Sequence, residues 1–402
     1  MADIPKIRFK GFTDDWEQRK VGEYYDFKNG LNKGKSFFGS GTPIVNFTDV
    51  FHNRGLYASD LSGRVTLSLD EISNYEVWQG DIFFTRTSET IEEIGYPSVM
   101  LDAPKSTVFS GFVLRGRAIN TDPLTNLFKQ YVFFTSTFRL EMIKKSSMTT
   151  RALTSGTAIK QMEFLFPHDK DEQDRIGAFF STLDHLITLH QRKCDDTIEL
   201  KKYMLQKMFP QNGKKIPEIR FAGFTDDWKQ RKLGEIVEFL DTQRKPLEGA
   251  KRVNGPYPYY GASGIVDYVD GYIFDEELVL LSEDGANITD RNYPICFLAS
   301  GKYWVNNHAH VLKMRKGNEN NFVCNALERK DYNQYNTGMA MPKLNKEVCK
   351  NIPIFCPCFE EQKKIGDYFR HLDHLITLHQ RKCNALKEIK KYMLQNMFPQ
   401  KG

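Results

Sequence analysis

The chain has 402 residues, 40% of them hydrophobic, a net charge of +5 and seven cysteines. That length exceeds one typical core, so two or three domains are expected, and the apolar content excludes a disordered chain. The modest basic balance permits nucleic-acid binding without demanding it, an odd, scattered set of cysteines fits reduced thiols better than a disulfide framework, and no stretch approaches eighteen apolar residues, so no membrane span is expected.

The opening residues MADIPKIRFK carry no apolar signal-peptide core, so a cytoplasmic location is expected. They begin an arm, residues 1–23, whose segment Ile4–Glu23 returns as Ile216–Glu235 with four differences: Lys6/Glu218, Lys10/Ala222, Glu17/Lys229 and Val21/Leu233. A second repeat is stricter. Leu183–Cys194 reads LDHLITLHQRKC, and Leu372–Cys383 is identical. The stretch from arm to repeat is shorter in the second copy, Ile216 to Leu372 against Ile4 to Leu183, so the whole difference lies between the repeated ends. One plan is present twice.

Between the repeated ends lie two middles, residues 24–168 and 236–358, that share no obvious run. Both read as mixed and strand-rich. Gly80–Arg86 and Ser110–Arg115 are strand-like in the first, as are Gly271–Phe274, Glu277–Leu281 and His310–Met314 in the second. Leu127, Tyr131, Phe134, Phe138 and Met142 predict one helix over 124–145, and a weaker pattern predicts another over 320–334.

After each middle comes a long helix. Residues 169–211 and 359–402 hold them, with helix expected over 171–209 and 360–398, and Pro210 and Pro399 as stops. Leu183, Ile187, His190 and Cys194, and equally Leu372, Ile376, His379 and Cys383, advance by three or four as a coiled-coil-like seam. At 1.5 Å per residue each helix would span roughly 55–60 Å. Residues 212–235 form a polar linker and the second arm. The expected fold class is α+β: two strand-rich domains separated by two long antiparallel coiled-coil helices, with pseudo-two-fold organisation.

Catalytic motifs are missing. Asn29–Ser36, NGLNKGKS, ends like a phosphate loop, but position 29 is Asn where the pattern needs Gly, so a turn is the better reading. No glycine-rich nucleotide fingerprint, amino-methyltransferase motif or nuclease carboxylate–lysine set is evident. Cys349, Cys356 and Cys358 lack a fourth metal ligand and read as core thiols. His190 with Cys194 and His379 with Cys383 have a metal-compatible i, i+4 spacing, yet they fall on the seam, where a tolerated polar pair is simpler.

Other constellations suit DNA. Arg86, Thr87, Ser88 and Thr90 follow a strand and offer donors and acceptors to base edges. Lys144, Lys145, Ser147, Thr149 and Arg151 form a basic, hydroxyl-rich loop for phosphates. In the second middle the candidates are Tyr257, Tyr259, Tyr260 and Ser263 in an aromatic loop, then Asn306, Asn307 and His308 before a strand carrying Lys313.

The arm IRFxGFTDDWxxRKxGE, a variable domain and a shared long helix, all repeated, resemble the specificity subunit of type I restriction–modification systems. Residues 81–90, Glu93-Ile94-Gly95 and Ser110-Gly111-Phe112 are similar to one common target-recognition domain. Residues 257–265 and Ser282-Glu283-Asp284-Gly285-Ala286 are similar to another, with Glu283 where an arginine is often found. So are the domain ends, Ser155-Gly156-Thr157 before Phe166-Pro167 and Asn336-Thr337-Gly338 before Cys356-Pro357. The resemblance implies a non-catalytic subunit whose two target-recognition domains each read half of a split, asymmetric double-stranded DNA target. It also implies two copies of a methyltransferase subunit bringing S-adenosylmethionine, and a restriction–translocase subunit bringing ATP and magnesium. This chain would hold no cofactor or metal. The alternatives are a coiled-coil scaffold whose middles bind peptide or carbohydrate, and, less in keeping with the motifs, a stand-alone modification enzyme.

Overall fold

The computed structural model describes residues 4–211 and 213–399. The first three residues of the first arm, Asn212 of the linker and residues 400–402 lie outside the described residues. The chain forms two compact units that are not contiguous in sequence. The first joins the residues up to Leu189 with those from Lys382 onward, and the second holds His190–Arg381.

In the first unit, a mixed sheet runs Tyr25–Asn29, Val113–Ala118, Ile82–Thr85, Pro97–Met100 and Gly55–Leu56 in spatial order. In the second, the order Val237–Phe239, Ala309–Met314, Leu278–Ser282 and Cys296–Ala299 reproduces its first four strands. The pairing agrees residue by residue: Val113 faces Thr85 and Leu114 faces Phe84, as Ala309 faces Ser282 and His310 faces Leu281. The central strands, IFFT and LVLLS, are wholly buried, as apolar runs covered on both faces must be. A second sheet in each unit contains a parallel pair, Phe38–Val45 with Val108–Phe109 and Asn254–Gly261 with Lys302–Val305. Two middles without shared sequence therefore have one topology.

The expected helix over 124–145 is two helices, Asn126–Val132 and Ser136–Lys145. The break follows from Thr135, which adopts extended backbone as N-cap of the second helix while its hydroxyl donates to the Val132 carbonyl. Over 320–334, helix is limited to Asn320–Glu328, followed by a short turn at Asn333–Tyr335.

The long helices are Lys170–Lys207 and Phe359–Asn396, each ending just before its proline. Within the units their segments pair antiparallel. In the first unit Lys390 Nζ meets Asp184 at 2.5 Å and Cys383 Sγ lies 3.9 Å from the Ile187 carbonyl. The second unit repeats both contacts, Lys201 with Asp373 at 2.5 Å and Cys194 Sγ with the Ile376 carbonyl at 3.9 Å. His190 meets its own repeat, His379, Nδ1 to Nδ1 at 3.0 Å. Leu183, Cys194, Leu372 and Cys383 are buried, whereas Ile187, His190, Ile376 and His379 are half-buried.

The arms clamp the helix ends. Arg8 makes a two-pronged ion pair with Glu172 at 2.6 and 2.8 Å, and Ile7 N donates to the Asn396 carbonyl at 2.9 Å. Arg220 holds Glu361 at 2.7 and 2.8 Å, and Ile219 N donates to the Lys207 carbonyl at 2.9 Å. Trp16 is buried against Phe128 and Phe398, and Trp228 against Phe209 and Phe322. The near-identity of the arms thus corresponds to identical roles: each ties the start of one long helix to the end of the other. Cys349 and Cys356 are buried in the second core, while Cys358 is exposed.

Candidate nucleic-acid interface

In each variable domain one strand leads into a tip held by main-chain bonds. In the first domain Arg86 N donates to the Phe112 carbonyl at 2.9 Å, and Thr154 N donates to the Arg86 carbonyl at 3.1 Å. In the second, Glu283 N donates to the His308 carbonyl at 2.9 Å, and Leu344 N to the Glu283 carbonyl at 2.7 Å. These bonds equate Arg86 with Glu283, Phe112 with His308 and Thr154 with Leu344. Ser110 Oγ accepts from Phe112 N at 3.3 Å and Asn306 Oδ1 accepts from His308 N at 2.8 Å, which extends the correspondence.

Around Arg86 the structure gathers several predicted residues. Thr87 and Ser88 pair with Leu153 and Ala152, and Ala152–Leu153 pairs in turn with Ser147–Met148. The ribbon's connection, Thr149–Arg151, is exposed and is closed by Thr149 N donating to the Arg151 carbonyl at 3.3 Å. Thr87, Ser88, Glu89, Phe112 and Arg151 line a concavity of ≈ 420 Å³ together with Phe47, Phe51 and Glu93. Phe112, 60% exposed, stands at its edge. Thr90 is exposed, and Lys144 and Lys145 are exposed at the end of the helix leading into the ribbon. Ser88 is buried, and its hydroxyl accepts from Thr90 N at 3.3 Å, so it shapes the tip from within.

In the second domain Asn307, His308 and Ser263 are exposed. His308 Nδ1 lies 2.9 Å from Asp284, and the Ser282 hydroxyl donates to the Ala262 carbonyl, bringing the turn at Ser263 beside the Glu283 strand. Burial argues against two of the predicted contacts, Tyr259 and Asn306. Tyr259 is buried, and its hydroxyl accepts from Leu247 N at 2.9 Å, so it braces the hairpin. Asn306 is buried and spends its side-chain oxygen on His308 N. Lys313 is exposed, sits five residues from His308, about 16 Å along extended chain, and pairs with Glu276 at 2.9 Å. Tyr260 is half-buried, stacked at 5.8 Å on Phe297, and Tyr257 is half-buried 5.2 Å from Tyr272.

A charged cluster backs this second tip. Glu283 is held by Arg244 at 2.6 Å and Lys343 at 3.5 Å. His310, fully buried, has Nδ1 at 2.8 Å from Asp241 and Nε2 at 2.9 Å from the Leu344 carbonyl. Burial opposes its charge, but the Asp241 carboxylate and the Cys349 thiol favour it, and the pKa rises to about 10. With an acceptor on each nitrogen, the ring donates twice as imidazolium. Burial likewise opposes the charge of Asp241, yet the bond to His310 and the nearby Arg244 hold its carboxyl below the usual range.

Sequence reasoning passed over Phe112 as a surface group and over the loop Gly338–Lys343. The latter could have been found by aligning the domains at their ends. Strand Glu163–Phe166 is matched by Pro353–Cys356 and helix cap Ser155 by Asn345, and the spacing from cap to strand is the same in both domains. Counting back from those caps, the segment matching Thr149–Arg151 is Met339–Met341.

Equivalent surfaces recur on the helices. Leu200 and Tyr203 are exposed on the first, as are Ile389 and Tyr392 on the second, and the two pairs occupy the same places relative to the repeated LDHLITLHQRKC. A concavity of ≈ 500 Å³ in the first unit is lined by Asp184, Ile187, Lys390, Lys391 and Leu394. One of ≈ 600 Å³ in the second is lined by their repeats, Asp373, Ile376, Lys201, Lys202 and Leu205. Among the described residues no helix is long and apolar enough to cross a membrane.

Comparison with known proteins accounts for this duplication. The chain is 36% identical over 154 residues to a putative type I restriction enzyme specificity subunit of Haemophilus influenzae, a match covering 38% of this chain and 39% of that protein. It is 22% identical over 98% of its length to the putative type I restriction enzyme MjaX specificity subunit of Methanocaldococcus jannaschii, covering 95% of that protein. Its fold matches the crystal structure of a type I restriction–modification S subunit from M. genitalium with a TM-score of 0.72 at 16% identity, over 99% of this chain and 100% of that one. The family model for the type I restriction modification DNA specificity domain matches twice, over residues 13–200 and 225–388. The chain belongs to this family, the DNA-recognition and not the catalytic component of type I restriction–modification systems.

Proposed function

We propose that each variable domain reads one half of a bipartite, asymmetric duplex target, that the long helices set the unread gap, and that the repeated frame docks two copies of a methyltransferase subunit. The observation that carries this reading is a contrast. The frame is repeated down to single ion pairs, Arg8–Glu172 and Arg220–Glu361, while the tips on a shared scaffold differ at Arg86/Glu283 and Phe112/His308. Repeated surfaces suit two copies of one partner. Different tips suit two different sequences. Leu200 with Tyr203 and Ile389 with Tyr392 are the apolar anchors such a partner would cover.

In this reading Lys144, Lys145 and Arg151 neutralise phosphates and set register, with affinity falling steeply as salt rises. Arg86, Thr87, Asn307 and His308 then meet base edges. S-adenosylmethionine would be carried by the methyltransferase subunits, and ATP and magnesium by a restriction–translocase subunit. Replacing residues 24–167 with another recognition domain should change one half of the methylated target and leave the other intact, as read by methylome sequencing of the host. A change in both halves, or no salt-sensitive duplex binding by the assembled complex, would refute the modular DNA-reading role and favour a scaffold.

A further inference from the structure

The loop Gly338–Lys343 has an unusual combination of order and exposure. Its base is pinned from several sides. The Asn336 side-chain oxygen accepts from both Gly338 N and Lys343 N at 2.9 Å. Thr337 N donates to the Lys343 carbonyl at 2.8 Å, and Gly285 N donates to the Pro342 carbonyl at 3.0 Å. Gly338 admits no side chain, because a Cβ there would lie 1.8 Å from the Met341 carbonyl. Yet the tip of this ordered loop is Met339, fully exposed, then Ala340 and Met341, 62% exposed. Two large apolar side chains on one pinned tip are thus left mostly to solvent.

The loop's position suggests what they meet. It adjoins the Glu283 strand through Leu344 N and bridges Asp284 through Lys343. It is the counterpart of Thr149–Arg151 in the first domain, whose side chains are hydroxylic and basic. We infer that Met339 and Met341 form an apolar probe that enters a groove of the target duplex and contacts bases, not phosphates, in the half-site read by the second domain. This deepens the DNA-reading role and rests on it. Methionine is suited to such a contact because it is unbranched and polarisable, and so fits irregular apolar surface such as thymine methyl groups. A thioether cannot bind phosphate as a cation does, so its contribution should be specific to sequence and insensitive to salt.

The test uses the full chain assembled with its methyltransferase subunits and a duplex carrying the methylated target. Met339→Ser with Met341→Ser should weaken specific binding by about tenfold, roughly the worth of one good base contact. It should leave non-specific duplex binding, subunit stoichiometry and the slope of log K against log salt unchanged. Met339→Leu with Met341→Leu should restore most of the affinity. Replacing thymine by uracil across that half-site should weaken the native complex more than the serine variant. Specific affinity within twofold of native, a reduced salt slope, or loss of methyltransferase subunits would overturn the proposal, the last by assigning the tip to protein contact. A native complex with no salt-sensitive duplex binding would instead strike at the DNA-reading role itself.

Discussion

The two variable domains share strand order, pairing register and the hydrogen bonds of their tips, but almost none of the side chains at those tips. The bonds explain how both can hold. The matching place of Arg86 and Glu283, and of Phe112 and His308, is set by main-chain N–H and carbonyl groups. Main-chain bonds are indifferent to side-chain identity, so these positions can vary without unfolding the domain. The frame behaves oppositely. Arg8 and Glu172, and Arg220 and Glu361, hold the arms through side chains, and there the two copies are identical. Identity is kept where paired side chains hold the frame and lost at the tips, whose register the backbone sets.

The largest expected effect tests the identical part. The Glu172 and Glu361 side chains are each 1% exposed, paired with arginines 11% and 12% exposed. Removing one partner leaves a buried carboxylate uncompensated, which costs on the order of 3–5 kcal/mol. Arg8→Ala should destabilise the first unit and Arg220→Ala the second, by similar amounts, in calorimetry of the full chain. Effects differing by more than about twofold, well outside ordinary context dependence, would mean that the arms are equivalent in geometry but not in energetics.

A somewhat smaller effect separates the units. His310 occupies the place of buried Leu114, since each lies two residues beyond a matched tip residue, Phe112 or His308. Its folded pKa, about 10, exceeds the unfolded value of about 6.5. The charge on His310 therefore contributes stability that is fully present below about pH 6.5 and is lost as pH rises through about 10. Asp241, Glu283, Arg244 and Lys343 surround it or its partners. Between neutral pH and pH 10 the second unit should lose stability by a route the first lacks. His310→Leu should cost about 2–4 kcal/mol near pH 7 and flatten that loss. An unchanged alkaline profile would show that His310 is neutral in the fold.

Much of this was legible in the sequence. The duplication, the two long helices and their proline stops follow from letter-for-letter repeats and three-to-four spacing. The common topology of the middles was not legible, because the bonds that define it involve no particular side chain. Tyr259 misled for a related reason: an aromatic residue in a polar loop reads alike whether it faces solvent or braces a hairpin, and only the bond from Leu247 N to its hydroxyl decides. The broken helix at Thr135 could have been read from the Thr135-Ser136 cap signal, had the apolar periodicity not run through it.

The smallest expected effect bears most directly on the tips. Arg86 is half-buried as a residue, and its guanidinium makes no hydrogen bond or ion pair among the described residues. Glu283, its scaffold equivalent, is turned inward onto Arg244 and Lys343. One position therefore carries a cation without an ion pair among the described residues in the first domain and an ion-paired anion in the second. Arg86→Ala should weaken duplex binding by about 1–3 kcal/mol and leave the melting temperature unchanged. Glu283→Ala should do the reverse: it removes one of the two carboxylates on Arg244, 11% exposed, leaving it Asp241 at 3.6 Å, and lowers the second unit's melting temperature, with little direct effect on affinity. Measuring both quantities on both variants settles the matter. If Glu283→Ala cut affinity at constant melting temperature, the two tips would read DNA through the same position after all, and the divergence between them would lie in sign of charge rather than in which residues face the target.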